Sequence, residues 1–97
     1  MTGIVRDNVD THEGHDGPNA PYHKTYYNTG SPNVFANNEK VVRKGDKTLC
    51  GDAAVGASSN VFANGIALHR NGDATSGHGN WQPSKAISGS PNVFVNT

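Results

Sequence analysis

Three near-copies of one phrase constrain this chain more than any other feature. They read GSPNVFAN at Gly30–Asn37, ASSNVFAN at Ala57–Asn64 and GSPNVFVN at Gly89–Asn96. A second phrase follows the first two copies, VVRKGD at Val41–Asp46 and LHRNGD at Leu68–Asp73. Repeats of this kind are supersecondary units that cannot bury their apolar face alone, so neighbouring units must share a centre. The third copy has no second phrase after it. The stretch TGIVRDNVD at Thr2–Asp10 matches NGIALHRNGD, with Thr2-Gly3 in the place of Asn64-Gly65. The expectation is that Ile4-Val5-Arg6 pairs with Asn92–Asn96 and closes three hairpins into a ring with pseudo-threefold symmetry. Such a ring leaves no open sheet edge.

Local signals agree with an all-β chain. Asn64-Gly65 between two apolar stretches is a strong hairpin cue, and Asn37-Asn38 is a weaker form of it. No apolar pattern of 3.6-residue period runs for a useful length, and Gly, Asn and Pro interrupt the chain throughout. The sequence therefore divides into one domain, 1–97, of three units: 89–97 with 1–29, then 30–56, then 57–88. Tyr22, Tyr26, Tyr27 and Trp81 fall in the connecting loops, where they are expected to pack over a small core or shield loop backbone. His69 stands at the strand position of Val5 and Val42 and is read as a packing or partner-facing residue.

A chain of 97 residues with 33% hydrophobic and 7% aromatic residues buries little and needs a staple. One cysteine, Cys50, rules out a disulfide within the chain; beside it stand five histidines. Metal is the staple that this combination offers. Formal net charge is zero, which is not the basic footprint of a nucleic-acid binder. No apolar run reaches the roughly 20 residues of a membrane-spanning helix. The N-terminus lacks the apolar region of a signal peptide, so synthesis in the cytosol is expected, with any exit as cargo or as part of a larger particle.

Candidate ligands lie in the loops after Asp10, Asp46 and Asp73. His15 is five residues beyond its aspartate, Cys50 four and His78 five, one metal-capable side chain per unit. A closed tetrahedral site needs a fourth ligand, and the first and longest loop holds His23 and His12. Counting from Arg6 instead of Asp10 favours His12 over His15, because the Arg-to-Asp spacing is one longer in that unit. Three imidazoles and a thiolate suit zinc; an all-histidine set would leave iron open. No GxSxG, HExxH, CxxC or phosphate-loop motif is present. Gly45 and Gly72 are read as tight-turn residues, and Asp46 and Asp73 as loop caps. Four protein ligands leave no open coordination position, which points away from an enzyme.

In its repeated GSPNVFxN…xxRxGD phrases and loop histidines the chain resembles the PAAR-repeat family over essentially its whole length. Its short form is similar to the small spike-tip proteins of T-even-type phage tails and type VI secretion systems. There are departures: KVVR at Lys40–Arg43 and ALHR at Ala67–Arg70 for Pro-Ala-Ala-Arg, RDNVD for RxGD in the first unit, and ASS for GSP in the second. The resemblance implies a single-chain cone with a metal near its vertex. It implies a monomer that caps the trimeric β-helical central spike of a contractile injection system. The cone would sit at the baseplate of the virion and lead the spike through the outer membrane of a target cell. It implies synthesis in the host cytoplasm and, with Met1 and Thr97 close to the repeats, no room for an effector domain. A different reading is a receptor- or glycan-binding tail module that uses Trp81 and the loop tyrosines.

Overall fold

Turn chemistry decides where the strands begin. Asn37 and Asn38 take φ of 53° and 68°, and Asn64 and Gly65 take 56° and 75°. Two successive positive φ values make the primed turn whose twist matches antiparallel strands. A computed structural model describes residues 2–95. It contains β1 (Thr2–Gly3), β2 (His15–Gly17), β3 (Ala20–His23), β4 (Phe35–Ala36), β5 (Glu39–Lys40), β6 (Phe62–Ala63), β7 (Ile66–Ala67) and β8 (Phe94–Val95). The described residues form an all-β structure without a helix. All four strand pairs are antiparallel: β1 with β8, β2 with β3, β4 with β5, and β6 with β7.

The ends of the chain do pair, in a different register from the one expected. Thr2 faces Val95 and Gly3 faces Phe94, and the Ile4 N–H donates to the Val93 carbonyl at 3.1 Å. Ile4, Val5 and Arg6 have already turned away to the other units: Ile4 bridges Arg70 and Arg6 bridges Val41. Asn96, part of the expected pairing, lies outside the described residues. Arg43 bridges Leu68 in the same manner, so each unit is joined to the next at an equivalent place. The innermost residues of the three units are linked by a closed ring of three backbone bonds. Val5 N–H donates to His69 O at 3.2 Å, His69 N–H to Val42 O at 3.0 Å, and Val42 N–H to Val5 O at 2.9 Å.

Two apolar clusters form around this ring. One contains Ile4, Val41 and Leu68 with Ala36, Ala63 and Val95. The other contains Val5 and Val42 with Tyr27, Ala54 and Ala86. Successive residues such as Val41 and Val42 are both buried, contrary to the alternation of a one-sided strand, because this segment passes through the interior between two neighbours. Each fully buried valine contributes roughly 1.5–3 kcal/mol. In the hairpins the alternation returns, with Phe35, Phe62 and Phe94 outward and Ala36, Ala63 and Val95 inward.

The second repeated phrase is a capped turn. Asp46 Oδ2 accepts the backbone N–H of Arg43 at 2.8 Å and its Nε–H at 3.0 Å, and Asp73 holds Arg70 at 2.8 and 2.7 Å. Gly45 and Gly72 supply the positive φ, 93° and 94°. In the first unit Asp10 holds Arg6 across one extra residue, with bonds of 2.9 and 2.8 Å, and Asn8 takes the left-handed conformation at φ 62°. Asparagine tolerates that region, which is how RDNVD does the work of RxGD.

His69 is a packing residue, completely buried in the place held by Val5 and Val42. Its Nδ1–H donates to Gly56 O at 2.7 Å, so Nε2 accepts the Tyr27 hydroxyl at 2.8 Å. Burial holds the His69 imidazole below its ordinary range, with the Gly56 bond opposing, and burial pushes the Tyr27 hydroxyl up, so it stays a donor. A depressed histidine favours folding above its unfolded value, about 6.5, and that stability is lost as pH falls below it. The double variant His69→Val/Tyr27→Phe should therefore show a shallower fall of Tm below about pH 6.5 than the unaltered protein. Identical slopes in the two proteins would contradict this reading of the pair.

Candidate metal centre

Three local devices bring in the four candidate ligands. His15 and His23 are directly opposite each other across β2 and β3, and opposite residues of an antiparallel pair put their side chains on the same face. The hairpin turns through Asn19 at φ 56°. The Asn80 carbonyl comes so close to Gly17 that any side chain there would collide with it. Cys50 sits in a tight turn in which Thr48 N–H donates to Asp52 O and Gly51 N–H to Thr48 O, both at 2.9 Å. His78 opens a turn closed by reciprocal backbone bonds with Trp81, of 3.0 and 2.8 Å.

These devices converge. Ligand atoms of His15, His23, Cys50 and His78 all lie within 4.8 Å of one another. His15 Nε2 is 2.7 Å from His23 Nε2, 3.1 Å from His78 Nε2 and 3.8 Å from Cys50 Sγ. The His15 Nδ1–H donates to the Gln82 carbonyl at 2.7 Å, which leaves the Nε2 lone pair facing the other three ligands. A tetrahedral ion of zinc's size sets edges of about 3.3 Å between nitrogens and about 3.6 Å between nitrogen and sulfur. The two nitrogen–nitrogen separations fall short of their edge and the nitrogen–sulfur separation slightly exceeds its own, and the donor set of three imidazoles and a thiol could hold a metal ion. His15 is buried and the other three are partly buried.

His12, the alternative ligand, is grouped with His15 and Asp52 rather than with this set, and its Nε2 lies 3.6 Å from Cys50 Sγ, at the edge of the cluster. It bridges Ala86 as Thr48 bridges Tyr27 and Thr75 bridges Ala54, so it is in register with Thr48 and Thr75. The count from Arg6 misleads because the extra residue precedes Asp10. The backbone N–H groups of Gly14 and Thr25 face His12 Nδ1 and Nε2, each at 3.1 Å, and only one of the two nitrogens of a neutral imidazole can accept. Burial pushes the His12 pKa down to about 4, with Asp52 opposing and His15, His23 and His78 adding to the fall. A second grouping, His12, His15 and Asp52, is completely buried, yet its atoms are already used. The Asp52 Oδ2 accepts the Thr75 hydroxyl at 2.5 Å, its Oδ1 accepts Gly77 N–H at 2.6 Å, and the histidine nitrogens are 3.8 Å away. Asp52 thus pins the third loop to the second.

Trp81 has a role that its sequence position did not reveal. Its indole stacks on His23 at 4.9 Å and on His78 at 5.1 Å, with interplanar angles of 13° and 21°. The Nε1–H donates to Pro21 O at 2.8 Å, fixing the stack to β3. Spacing of three from His78, the span of a reciprocal turn, is the one sequence signal that links it to the cluster. No protein-family model matches the chain, and no curated protein matches it.

Because Trp81 is the only tryptophan, it reports on the cluster. A divalent transition-metal ion should change Trp81 fluorescence and saturate at one ion per chain. Cys50→Ser and His78→Ala should each weaken binding by more than about tenfold, since even outer partners of a site are worth that much. Chelation should lower Tm. Fluorescence and Tm that ignore both metal and chelator would contradict metal binding by this cluster.

Proposed function

We propose that this chain is a PAAR-repeat-type spike tip. In this reading it is a single-chain cone of three hairpin repeats with pseudo-threefold symmetry, its first and last strands paired and a metal near the vertex. It caps the trimeric β-helical central spike of a contractile injection machine and sharpens it for piercing the target cell envelope. The observation that carries the proposal is the exposure of Phe35, Phe62 and Phe94, at 55%, 57% and 47%. They occupy the same place in three repeats, beside the exposed Val34 and Val93. The rest of the repeated phrase has work inside the protein. Ser31 Oγ accepts the Val34 N–H at 3.0 Å and donates to Asn64 Oδ1 at 2.5 Å, and Ser90 makes the matching bonds at 2.9 and 2.6 Å with Val93 and Asn37. Among the apolar residues of the phrase, the phenylalanines alone are exposed in all three copies. Repeated apolar exposure of this kind marks an interface, and three equivalent patches on one chain meet a homotrimer without a symmetry mismatch.

Support for the cone comes from the cyclic order of the links. The bridges Ile4–Arg70, Arg6–Val41 and Arg43–Leu68 and the ring through Val5, Val42 and His69 treat the three units alike. Extents of 37 × 23 × 21 Å give the molecule one long axis, as a tip requires. Along the chain each unit runs from its outward phenylalanine through the two apolar clusters to a loop that meets the other loops. His15, His23, Cys50 and His78 would hold the metal, and the donor set favours zinc over iron. Bound there, the metal supplies a structural cross-link between loops too poor in apolar residues to make a core. The function is mechanical rather than enzymatic, and its place is the virion, at the tail baseplate, after synthesis in the host cytoplasm.

The variant Phe35→Ser/Phe62→Ser/Phe94→Ser should remain a folded monomer and lose at least about a hundredfold in affinity for its spike, as expected when central apolar anchors are removed. Co-purification with the trimeric β-helical spike of the same source, at one chain per trimer, is the assay. Undiminished co-purification of the triple variant would contradict the docking face, and a different stoichiometry would contradict the cap.

A further inference from the structure

Directly behind the ligand set lies a buried residue that metal binding alone does not explain. Thr48 is 2% exposed, and its hydroxyl oxygen is 3.1 Å from Cys50 Sγ. The backbone N–H of Asp52 donates to that same oxygen at 3.1 Å, which uses a lone pair of the hydroxyl and leaves its proton free. Sulfur is the acceptor within its reach among the described residues. Thr75, in register with Thr48, is built the same way. Its oxygen accepts Ser84 N–H at 3.0 Å and its proton goes to the Asp52 carboxylate at 2.5 Å. In both units a buried threonine takes a backbone N–H and donates its proton onward, but only Thr48 donates to a candidate ligand.

We propose that Thr48 is a positioning residue of the metal centre, whose hydroxyl donates to the Cys50 sulfur, aims it at the other three ligands and tempers its donor strength. The proposal rests on the reading of the cluster as a metal site. A metal-bound thiolate carries negative charge, and a hydroxyl donating to it makes a charge-assisted hydrogen bond, stronger than a neutral one. Such a bond withdraws electron density from sulfur and fixes the direction of its lone pairs. Outer partners of this kind are worth about 10–100-fold in metal affinity. Thr48 also shapes the turn that carries Cys50, since its backbone bonds to Gly51 and Asp52 are independent of the hydroxyl proton. Thr48→Val keeps these backbone bonds but loses the acceptor of the Asp52 N–H, and Thr75→Val loses the equivalent acceptor of the Ser84 N–H, so the comparison of the two variants isolates the donation to sulfur.

Cobalt(II) is the probe, because a cobalt-bound thiolate gives a sulfur-to-metal charge-transfer band in the near ultraviolet. In the full chain loaded with cobalt(II), Thr48→Val should move this band to longer wavelength and weaken zinc binding by about tenfold or more. Thr48→Ser should restore both. Thr75→Val, which removes the equivalent hydroxyl away from sulfur, should leave the band in place. An unmoved band in Thr48→Val, or an equal movement in Thr75→Val, would overturn the proposal. If Thr48→Val does not fold, the unaltered protein loaded with NMR-active cadmium decides. A slowly exchanging Thr48 hydroxyl proton coupled to cadmium through sulfur supports the bond, and its absence overturns it. A cobalt(II) spectrum without any sulfur band contradicts the metal-site reading itself, and the role of Thr48 falls with it.

Discussion

The ring of three backbone hydrogen bonds through Val5, Val42 and His69 is the constraint on which the rest of the structure depends. Each unit offers one N–H and one C=O at its centre, and each is satisfied only by another unit. Buried backbone groups without partners are costly, so two units without the third would leave one donor and one acceptor unpaired in the interior. Closure therefore requires the segment that begins at Ile4 to lie between the segments of Arg70 and Val41. The apolar clusters on the two sides of the ring draw on equivalent positions for the same reason. Isolated two-stranded hairpins are marginal, and here none of the two-residue strand pairs has to stand alone.

From that centre the structure is held by polar devices more than by apolar volume. Arg6, Arg43 and Arg70 are bracketed by Asp10, Asp46 and Asp73, which fixes the point at which each loop leaves the core. Beyond it, the return arm of each loop pairs with the outgoing arm of the next, through Tyr27–Thr48, Ala54–Thr75 and Ala86–His12. Asp52 and Trp81 then tie the loop ends together. The four candidate ligands are positioned by these interlocked arms, so their convergence follows from the register of the loops.

What could be read in the sequence was what local chemistry and register determine. The hairpins were legible because Asn-Gly and Asn-Asn have one comfortable geometry between apolar stretches, whereas the outward turn of the phenylalanines was not, because the pleat sets alternation without saying which face is buried. The convergence of His15, Cys50 and His78 was legible because counting from the capping aspartates preserves register. His23 followed from the need for a fourth ligand in the longest loop. Other features depend on packing between units that a linear count does not carry. His12 stayed an alternative to His15 when counted from Arg6, since the extra residue taken up by Asn8 is invisible until the turn is seen. Ile4 was expected to continue the terminal hairpin, but its buried position between two units outweighs further pairing with the last strand. Trp81 lies in a loop segment that the repeat does not cover, and Asp52 has Thr25 and Ser84, of different chemistry, as its counterparts, so the repeat said nothing about either role.

The central claim is that one chain closes on itself and holds one metal where its loops meet. Native mass spectrometry of protein purified without chelator, with elemental analysis of the same sample, tests it most directly. The account predicts a monomer of 97 residues carrying a single zinc ion. A folded monomer free of metal would contradict the metal centre, and a metal-bridged oligomer would contradict closure within one chain.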